Sequence, residues 1–143
     1  MIRHLLDTNV CIDLIRGRGA AALARLRQCE VGTVGISSIT LAELRHGVSR
    51  SSNPARNLLA LANFVAPLEL CDFDFRAAAS YGDVRAGLEV AGTPIGPLDT
   101  LIAAHALSLD CVLVTSNVRE FRRVDGLRVE DWSARPPRGR GLG

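Results

Sequence analysis

Lysine is absent from this chain of 143 residues, because all 17 basic residues are arginine. This absence excludes any reaction mechanism that requires a lysine. Aromatic residues make up only 4% of the chain, so platforms for base stacking are scarce, which argues against an RRM-type RNA binder. The four cysteines lie far apart and form no C-x-x-C pair, which argues against zinc and is typical of a reduced, cytoplasmic compartment.

Long apolar runs are also missing. No segment approaches the roughly 18 consecutive apolar residues of a membrane helix, and Asp7 and Asp13 interrupt the apolar N-terminus. The sequence therefore predicts neither a membrane span nor a signal peptide.

The composition predicts one globular domain followed by a short tail. Hydrophobic residues make up 48% of the chain, which suffices for a single core over residues 1–134. Residues 135–143 are rich in Arg, Pro and Gly and lack periodicity, so we expect a flexible tail unless a partner holds it. Because three of the 17 arginines lie in this tail, the 15 acidic residues slightly outnumber the basic residues in the domain.

Short apolar runs alternate with stretches of helical periodicity. The runs predict strands at residues 2–7, 33–37, 67–71 and 111–115 and near 127–129. Helical patterns separate these runs, and the longest covers residues 72–90. Such alternation predicts an α/β fold with a central parallel sheet of four to five strands and helices on both faces.

Acidic residues occur where the strands of such a sheet would end. Asp7 closes the first strand, Glu43 lies early in the helix after the second strand, and Asp99 opens the helix that precedes the fourth. Ligands of open α/β sheets bind just beyond the carboxyl ends of the strands. Three carboxylates that converge there need a cation, because like charges at short range cannot all remain ionised. The pattern predicts a hard divalent metal ion and phosphodiester chemistry.

Each acid also has a purely structural explanation. Asp7 could cap the helix that begins at Thr8, and Thr40-x-x-Glu43 matches a capping box. Asp99 could favour the positive end of its own helix. The coincidence of all three acids at one edge of the sheet favours the metal site.

Four segments that carry these residues resemble the PIN-domain family, and most of all its VapC-type ribonuclease toxins. They are residues 5–9 (LLDTN), 39–44 (ITLAEL), 97–106 (PLDTLIAAHA) and 114–121 (VTSNVREF), and residues 124–132 resemble the last strand of the family. The resemblance implies a PIN-like three-layer α/β/α sandwich and an endoribonuclease that depends on Mg²⁺, with Mn²⁺ as a substitute. It also implies a homodimer that is neutralised by a VapB-like antitoxin.

The resemblance assigns roles to the acids. It implies that Asp7 and Asp99 bind the metal directly, and that Glu43 binds through water or orients the attacking water. Many family members carry a fourth acid two residues after the threonine that ends the strand, but this chain has Asn117 there. We expect Glu120, one helical turn further on, to supply the missing charge.

Other residues near the acids are predicted to support them. Thr8, Asn9, Thr115 and Asn117 are expected to hold a carboxylate or a bound water. Arg119, Arg122 and Arg123 have the spacing of one helical face and are expected to contact RNA phosphates.

The sequence thus predicts a metal-dependent endoribonuclease that hydrolyses structured RNA, with tRNA as the preferred kind. Two other α/β classes with acids at strand ends, dehalogenase-like phosphatases and receiver domains, rely on a lysine that this chain lacks. The alternative is a catalytically weak PIN-like module that binds other proteins, and a metal-dependent nuclease assay would separate the two.

Overall fold

The computed structural model describes residues 1–133 and places five strands and seven helices along them. The strands are β1 (His4–Leu6), β2 (Val34–Ser37), β3 (Glu69–Cys71), β4 (Val112–Val114) and β5 (Val129–Glu130). The helices are α1 (Thr8–Ile15), α2 (Ala20–Gln28), α3 (Ser38–Ser49), α4 (Pro54–Val65), α5 (Phe75–Ala91), α6 (Pro97–Ser108) and α7 (Val118–Phe121). No helix within residues 1–133 is long and apolar enough to cross a membrane. The predicted tail, residues 135–143, lies outside the described residues.

The strands form one parallel sheet in the order β3-β2-β1-β4-β5. Strand β1 is central, and Leu6 pairs with Val114 of β4. The residues that follow these two strands, Asp7 and Thr115, therefore emerge side by side at the same edge. The predicted parallel sheet of four to five strands is confirmed.

Both faces of the sheet are covered by helices. Leu5 and Leu113 pack against α5 and α6 on one face. Leu6 and Val114, their immediate neighbours in sequence, pack against α1 to α4 on the other. Successive side chains of a strand point to opposite faces, which explains why both neighbouring positions are apolar in the central strands β1 and β4. The predicted three-layer α/β/α sandwich is confirmed.

Helix α3 begins earlier than its sequence pattern suggests. The Ser37 hydroxyl accepts a hydrogen bond from the Ile39 N–H at 3.0 Å and caps the helix. Thr40 is consequently inside the first turn and Glu43 lies in the second, so the capping-box explanation of Glu43 is wrong. Helix α5 shows the opposite shift and begins at Phe75, later than the predicted residue 72, because Asp74 caps it and accepts hydrogen bonds from two N–H groups of its first turn.

The start of α3 is tied to α6 by a buried polar contact, here called the His105 junction. His105 Nδ1 lies 2.8 Å from the Ser37 hydroxyl, and Phe73 packs against the imidazole with its ring centre 5.3 Å away. The Phe73 N–H donates to the Ser38 hydroxyl at 3.0 Å. Burial lowers the pKa of His105 below its ordinary value of 6.5, so the ring is neutral and fastens the two helices without adding charge.

Candidate catalytic site

Asp7 stands at the centre of the site, at the point where β1 ends and α1 begins. Its Oδ1 accepts a hydrogen bond from the Asn9 N–H at 2.6 Å, and its Oδ2 accepts one from the Thr115 hydroxyl. The structural explanation is therefore also correct, because Asp7 does cap α1. The side chain is only 4% exposed, and burial raises the pKa of Asp7 even though these hydrogen bonds favour the charged form.

Glu43 reaches the same edge from α3 and is held by Thr8. The Thr8 hydroxyl lies 2.8 Å from Glu43 Oε1 and 3.2 Å from the Thr40 hydroxyl. A hydroxyl has one proton to donate, and the closer, charged oxygen is the better acceptor. Thr8 therefore fixes one oxygen of Glu43 and leaves Oε2 available to the crevice.

Asp99 completes the group from the first turn of α6. Its pKa is raised to about 6, first by burial and then by the negative charges of Asp7, Glu120 and Glu43. Asp99 therefore lies close enough to three other carboxylates to be affected by their charges. The four carboxylates surround one crevice and give it an excess of negative charge. We call this group, Asp7, Glu43, Asp99 and Glu120, the acidic crevice.

Glu120 joins the acidic crevice from α7, and Asn117 holds it there. The Asn117 amide donates to Glu120 Oε2 at 2.9 Å, while the Asn117 N–H donates to the Thr115 hydroxyl at 3.0 Å. Thr115 therefore links the backbone of this loop to Asp7. Of the four supporting residues predicted, Asn9 contacts an acid only through its backbone N–H, and the other three use their side chains.

The three arginines do not share one helical face. Helix α7 ends at Phe121, which is fully buried, so only Arg119 belongs to it. Arg122 caps its end, and Arg123 donates to the Pro94 carbonyl at 3.1 Å. The predicted face is wrong because the helix is too short, and the predicted phosphate contacts stay a prediction.

The donor atoms at the acidic crevice fit a hard cation such as Mg²⁺. All of them are oxygens. Burial and then the negative charges of its neighbours raise the pKa of Asp99, and a bound cation would offset both effects. Within residues 1–133 no three acidic, histidine or cysteine side chains lie close enough to form a complete ligand set. Mg²⁺ does not need one, because it keeps several waters and uses one or two carboxylates. Asp7 and Asp99 stay the predicted direct ligands.

One residue beside the acidic crevice does not stand out in the sequence. Arg16 ends α1 and lines, together with Glu43, a pocket between α1, α3 and α4. Nothing in its local sequence distinguishes it from the other arginines. Only the packing of the three helices brings it to the site.

Comparisons with known proteins identify the family of this chain. Residues 4–127 match the family model described as "PIN domain". The tRNA(fMet)-specific endonuclease VapC of Shigella flexneri is 44% identical over 133 residues, which cover 93% of this chain and 100% of that protein. Ribonuclease VapC2 of Haemophilus influenzae is 41% identical over 132 residues, which cover 92% of this chain and 99% of that protein.

Solved structures of similar proteins have the same fold. DNA-bound VapBC of Salmonella typhimurium superposes with a TM-score of 0.88 at 44% identity, and covers 92% of this chain and 99% of the matched chain. VapBC2 of Rickettsia felis gives a TM-score of 0.87 at 38% identity, with the same coverage. The family match spans most of the chain and includes Asp7, Glu43, Asp99 and Glu120. The chain belongs to the PIN-domain family, and within it to the VapC ribonucleases.

Proposed function

We propose that this protein is a Mg²⁺-dependent endoribonuclease toxin that hydrolyses a phosphodiester bond of structured RNA at the acidic crevice. The observation that carries the proposal is the convergence of Asp7, Glu43 and Glu120 on Asp99 at one edge of the sheet, where a neighbouring side chain holds each of the first three by a hydrogen bond. Such an unbalanced cluster at the carboxyl edge of a parallel sheet is suited to a divalent cation and a phosphate.

Each residue contributes a distinct step. Asp7 and Asp99 would hold the Mg²⁺, which would supply a water of lowered pKa and stabilise charge that develops on the phosphate. Thr115 and the Asn9 N–H fix the orientation of Asp7. Glu43, held at Oε1 by Thr8, uses its free Oε2 to orient the attacking water and to take up its proton.

Removal of the metal tests the mechanism directly. Cleavage of RNA by the purified protein should require Mg²⁺ or Mn²⁺ and stop in excess EDTA, because the acids repel one another and the phosphate without a cation. Restoration by added Mg²⁺ is the control for irreversible damage. Full activity in excess EDTA would contradict the mechanism, and the absence of cleavage with either metal would favour the protein-binding alternative.

We propose tRNA(fMet) as the substrate of this protein. Two relatives at 44% identity, from Shigella flexneri and Salmonella typhimurium, are tRNA(fMet)-specific endonucleases. The scarcity of aromatic residues also favours recognition of RNA shape and phosphates over base stacking along a strand. The test compares cleavage of tRNA(fMet), elongator tRNA and an unstructured RNA of equal length. Equal rates on all three would contradict the proposal.

We also propose that a VapB-like antitoxin inhibits the enzyme by placing an arginine against the acidic crevice. Several similar solved structures are VapBC proteins, and an arginine can pair with two carboxylate oxygens at once. Such a cation competes with Mg²⁺ for the same acids. Antitoxin affinity should therefore fall as Mg²⁺ rises, and affinity that is independent of Mg²⁺ would contradict this mode of inhibition.

The remaining partner prediction is a homodimer. The homodimer that the resemblance implies stays a prediction. Sedimentation of the purified protein at several concentrations measures the oligomeric state directly.

A further inference from the structure

A pocket with apolar walls opens beside the acidic crevice. It encloses about 180 Å³ between α1, α3 and α4, and Glu43 belongs to both the pocket and the acidic crevice. Aliphatic side chains form most of its wall, namely Ile12, Ile15, Leu44, Val48 and Leu61. An apolar cavity of about 150 Å³ holds one benzene molecule, so this pocket has room for a single planar ring.

Three polar side chains line the same pocket and have capacity for a ligand. Arg16 is exposed and makes no salt bridge within residues 1–133. The Asn57 N–H donates to the Asn53 carbonyl, and its side-chain amide makes no hydrogen bond within residues 1–133, so the amide can both donate and accept. The Ser51 hydroxyl donates to the Val48 carbonyl at 2.7 Å and can still accept. Apolar walls with a few convergent polar groups are typical of a binding site.

We infer that this pocket binds one unstacked nucleobase of the RNA substrate, next to the nucleotide whose phosphate is cleaved. The inference rests on the proposed function, because it places the cleaved phosphate at the acidic crevice. Glu43 forms the boundary between crevice and pocket, so a strand that crosses the crevice brings a neighbouring nucleotide to the pocket. Arg16 at the rim contacts its phosphate, while Asn57 and Ser51 contact the edge of its base.

The chemistry of the pocket walls favours a nucleobase as the occupant over a helix or an extended segment of a partner protein. RNA-binding proteins recognise single-stranded loops by binding their unstacked bases, which usually stack on aromatic side chains. This pocket offers aliphatic walls in place of the rings, together with donor and acceptor groups at one side. A guanidinium without an acidic partner at the rim complements a phosphate.

Two variants alter the pocket without touching the acids. Gly47 lies in α3 on the pocket wall, and nothing lies within 4 Å of a Cβ added there. Gly47→Leu should therefore fill the pocket, and it replaces a helical glycine by a better helix former. Its matched control is Gly82→Leu, another exposed helical glycine with open space. Asn57→Ala removes the amide, with Asn63→Ala on the exposed side of the same helix as control.

The measurement is the affinity for tRNA(fMet) transcripts in which single abasic nucleotides replace those on either side of the cleaved bond. With the wild-type protein, one abasic position should weaken binding about tenfold, as expected for one buried base. In Gly47→Leu and Asn57→Ala the abasic nucleotide should cause no further loss of affinity. These variants already bind intact RNA more weakly, because the base no longer occupies the pocket. Gly82→Leu and Asn63→Ala should retain it.

The inference is overturned if no abasic position weakens binding, or if the penalty persists in both pocket variants. Loss of antitoxin binding in Gly47→Leu together with a persistent penalty would assign the pocket to the antitoxin instead. Failure of the proposed function is recognised separately, by cleavage at the wild-type rate in Asp99→Asn.

Discussion

The acidic crevice and the His105 junction are both polar clusters at the starts of helices, but they differ in charge balance. At the crevice, four carboxylates surround one space, and Thr8, Thr115 and Asn117 each hold one of them, namely Glu43, Asp7 and Glu120, by a side-chain hydrogen bond. At the junction, a neutral imidazole meets the Ser37 hydroxyl, and no net charge is buried. Burial shifts both pKa values toward the neutral form, upward for Asp99 and downward for His105.

The difference shows which kind of buried polarity marks a site. Burial lowers the pKa of His105, and nearby acids partly oppose this shift. Within the protein, the effect of burial on His105 is therefore partly compensated. The charges around Asp99 have the same sign and add to the effect of burial. Such a cluster is relieved by protonation or, at neutral pH, by a bound cation, which is why the crevice, and not the junction, predicts a ligand.

The largest expected effect separates the two regions by activity. Asp7→Asn and Asp99→Asn should each reduce cleavage at least about a thousandfold, because each removes a metal ligand and with it several kcal/mol of transition-state stabilisation. His105→Asn, compared at equal amounts of folded protein, should keep most of the activity. The measurement is the single-turnover rate on tRNA(fMet) together with circular dichroism. Near wild-type cleavage by Asp99→Asn would show that the site lies elsewhere.

A smaller effect is expected for the hydroxyls that support each region. Thr115→Val should reduce cleavage about 10- to 100-fold, because Asp7 loses the group that orients it. Ser37→Ala removes the corresponding hydroxyl at the His105 junction and should lower stability while leaving the rate per folded molecule nearly unchanged. Rates and thermal unfolding measured on both variants test the contrast, and equal losses of rate would abolish it.

The loop after β4 gives a finer comparison within the acidic crevice. If Glu120 replaces the usual fourth acid, Glu120→Ala should lower cleavage about tenfold, and Asn117→Ala, which frees Glu120 without removing its charge, should be milder. The assay is cleavage as a function of Mg²⁺ concentration. A greater loss in Asn117→Ala would assign the fourth position to the amide instead.

Metal-free stability should respond to the charge of Asp99. Its folded-state pKa of about 6 exceeds the ordinary value of 3.8, so the folded state loses stability as pH rises through this interval. Asp99→Asn should therefore stabilise the metal-free protein at pH 7 by about 1 to 2 kcal/mol. Mg²⁺ should stabilise the wild type more than the variant. Unfolding in EDTA measures this effect, and destabilisation by Asp99→Asn would contradict it.

The weakest expected effect is the pH dependence of the His105 junction. Because the folded-state pKa of His105 is below 6.5, the unfolded chain binds the proton more tightly. The stabilisation present above pH 6.5 is consequently lost as pH falls below this value. His105→Asn should remove that component, which appears as the difference between the pH profiles of the two proteins. Identical profiles would show that His105 does not titrate on unfolding.

Much of the site was predictable because its residues lie at strand ends. The positions of Asp7 and Asp99 follow from apolar runs and helix starts that are local in sequence. The prediction of a capping box at Thr40 and Glu43 was wrong, because Ser37, three residues before Thr40, caps the helix instead. The prediction of an arginine face was wrong because α7 ends at Phe121, after one turn, and so contains only Arg119.

The sequence by itself determined the alternation of strands and helices, the parallel sheet and the edge at which the acids collect. These features depend on apolar periodicity and on strand ends, which are properties of short segments. Only the tertiary structure decided that Thr8 holds Glu43, that Thr115 holds Asp7, and that Arg16 and Asn57 line one pocket. Such contacts join residues far apart in the chain, and their geometry depends on strand register and helix packing, which no single segment encodes.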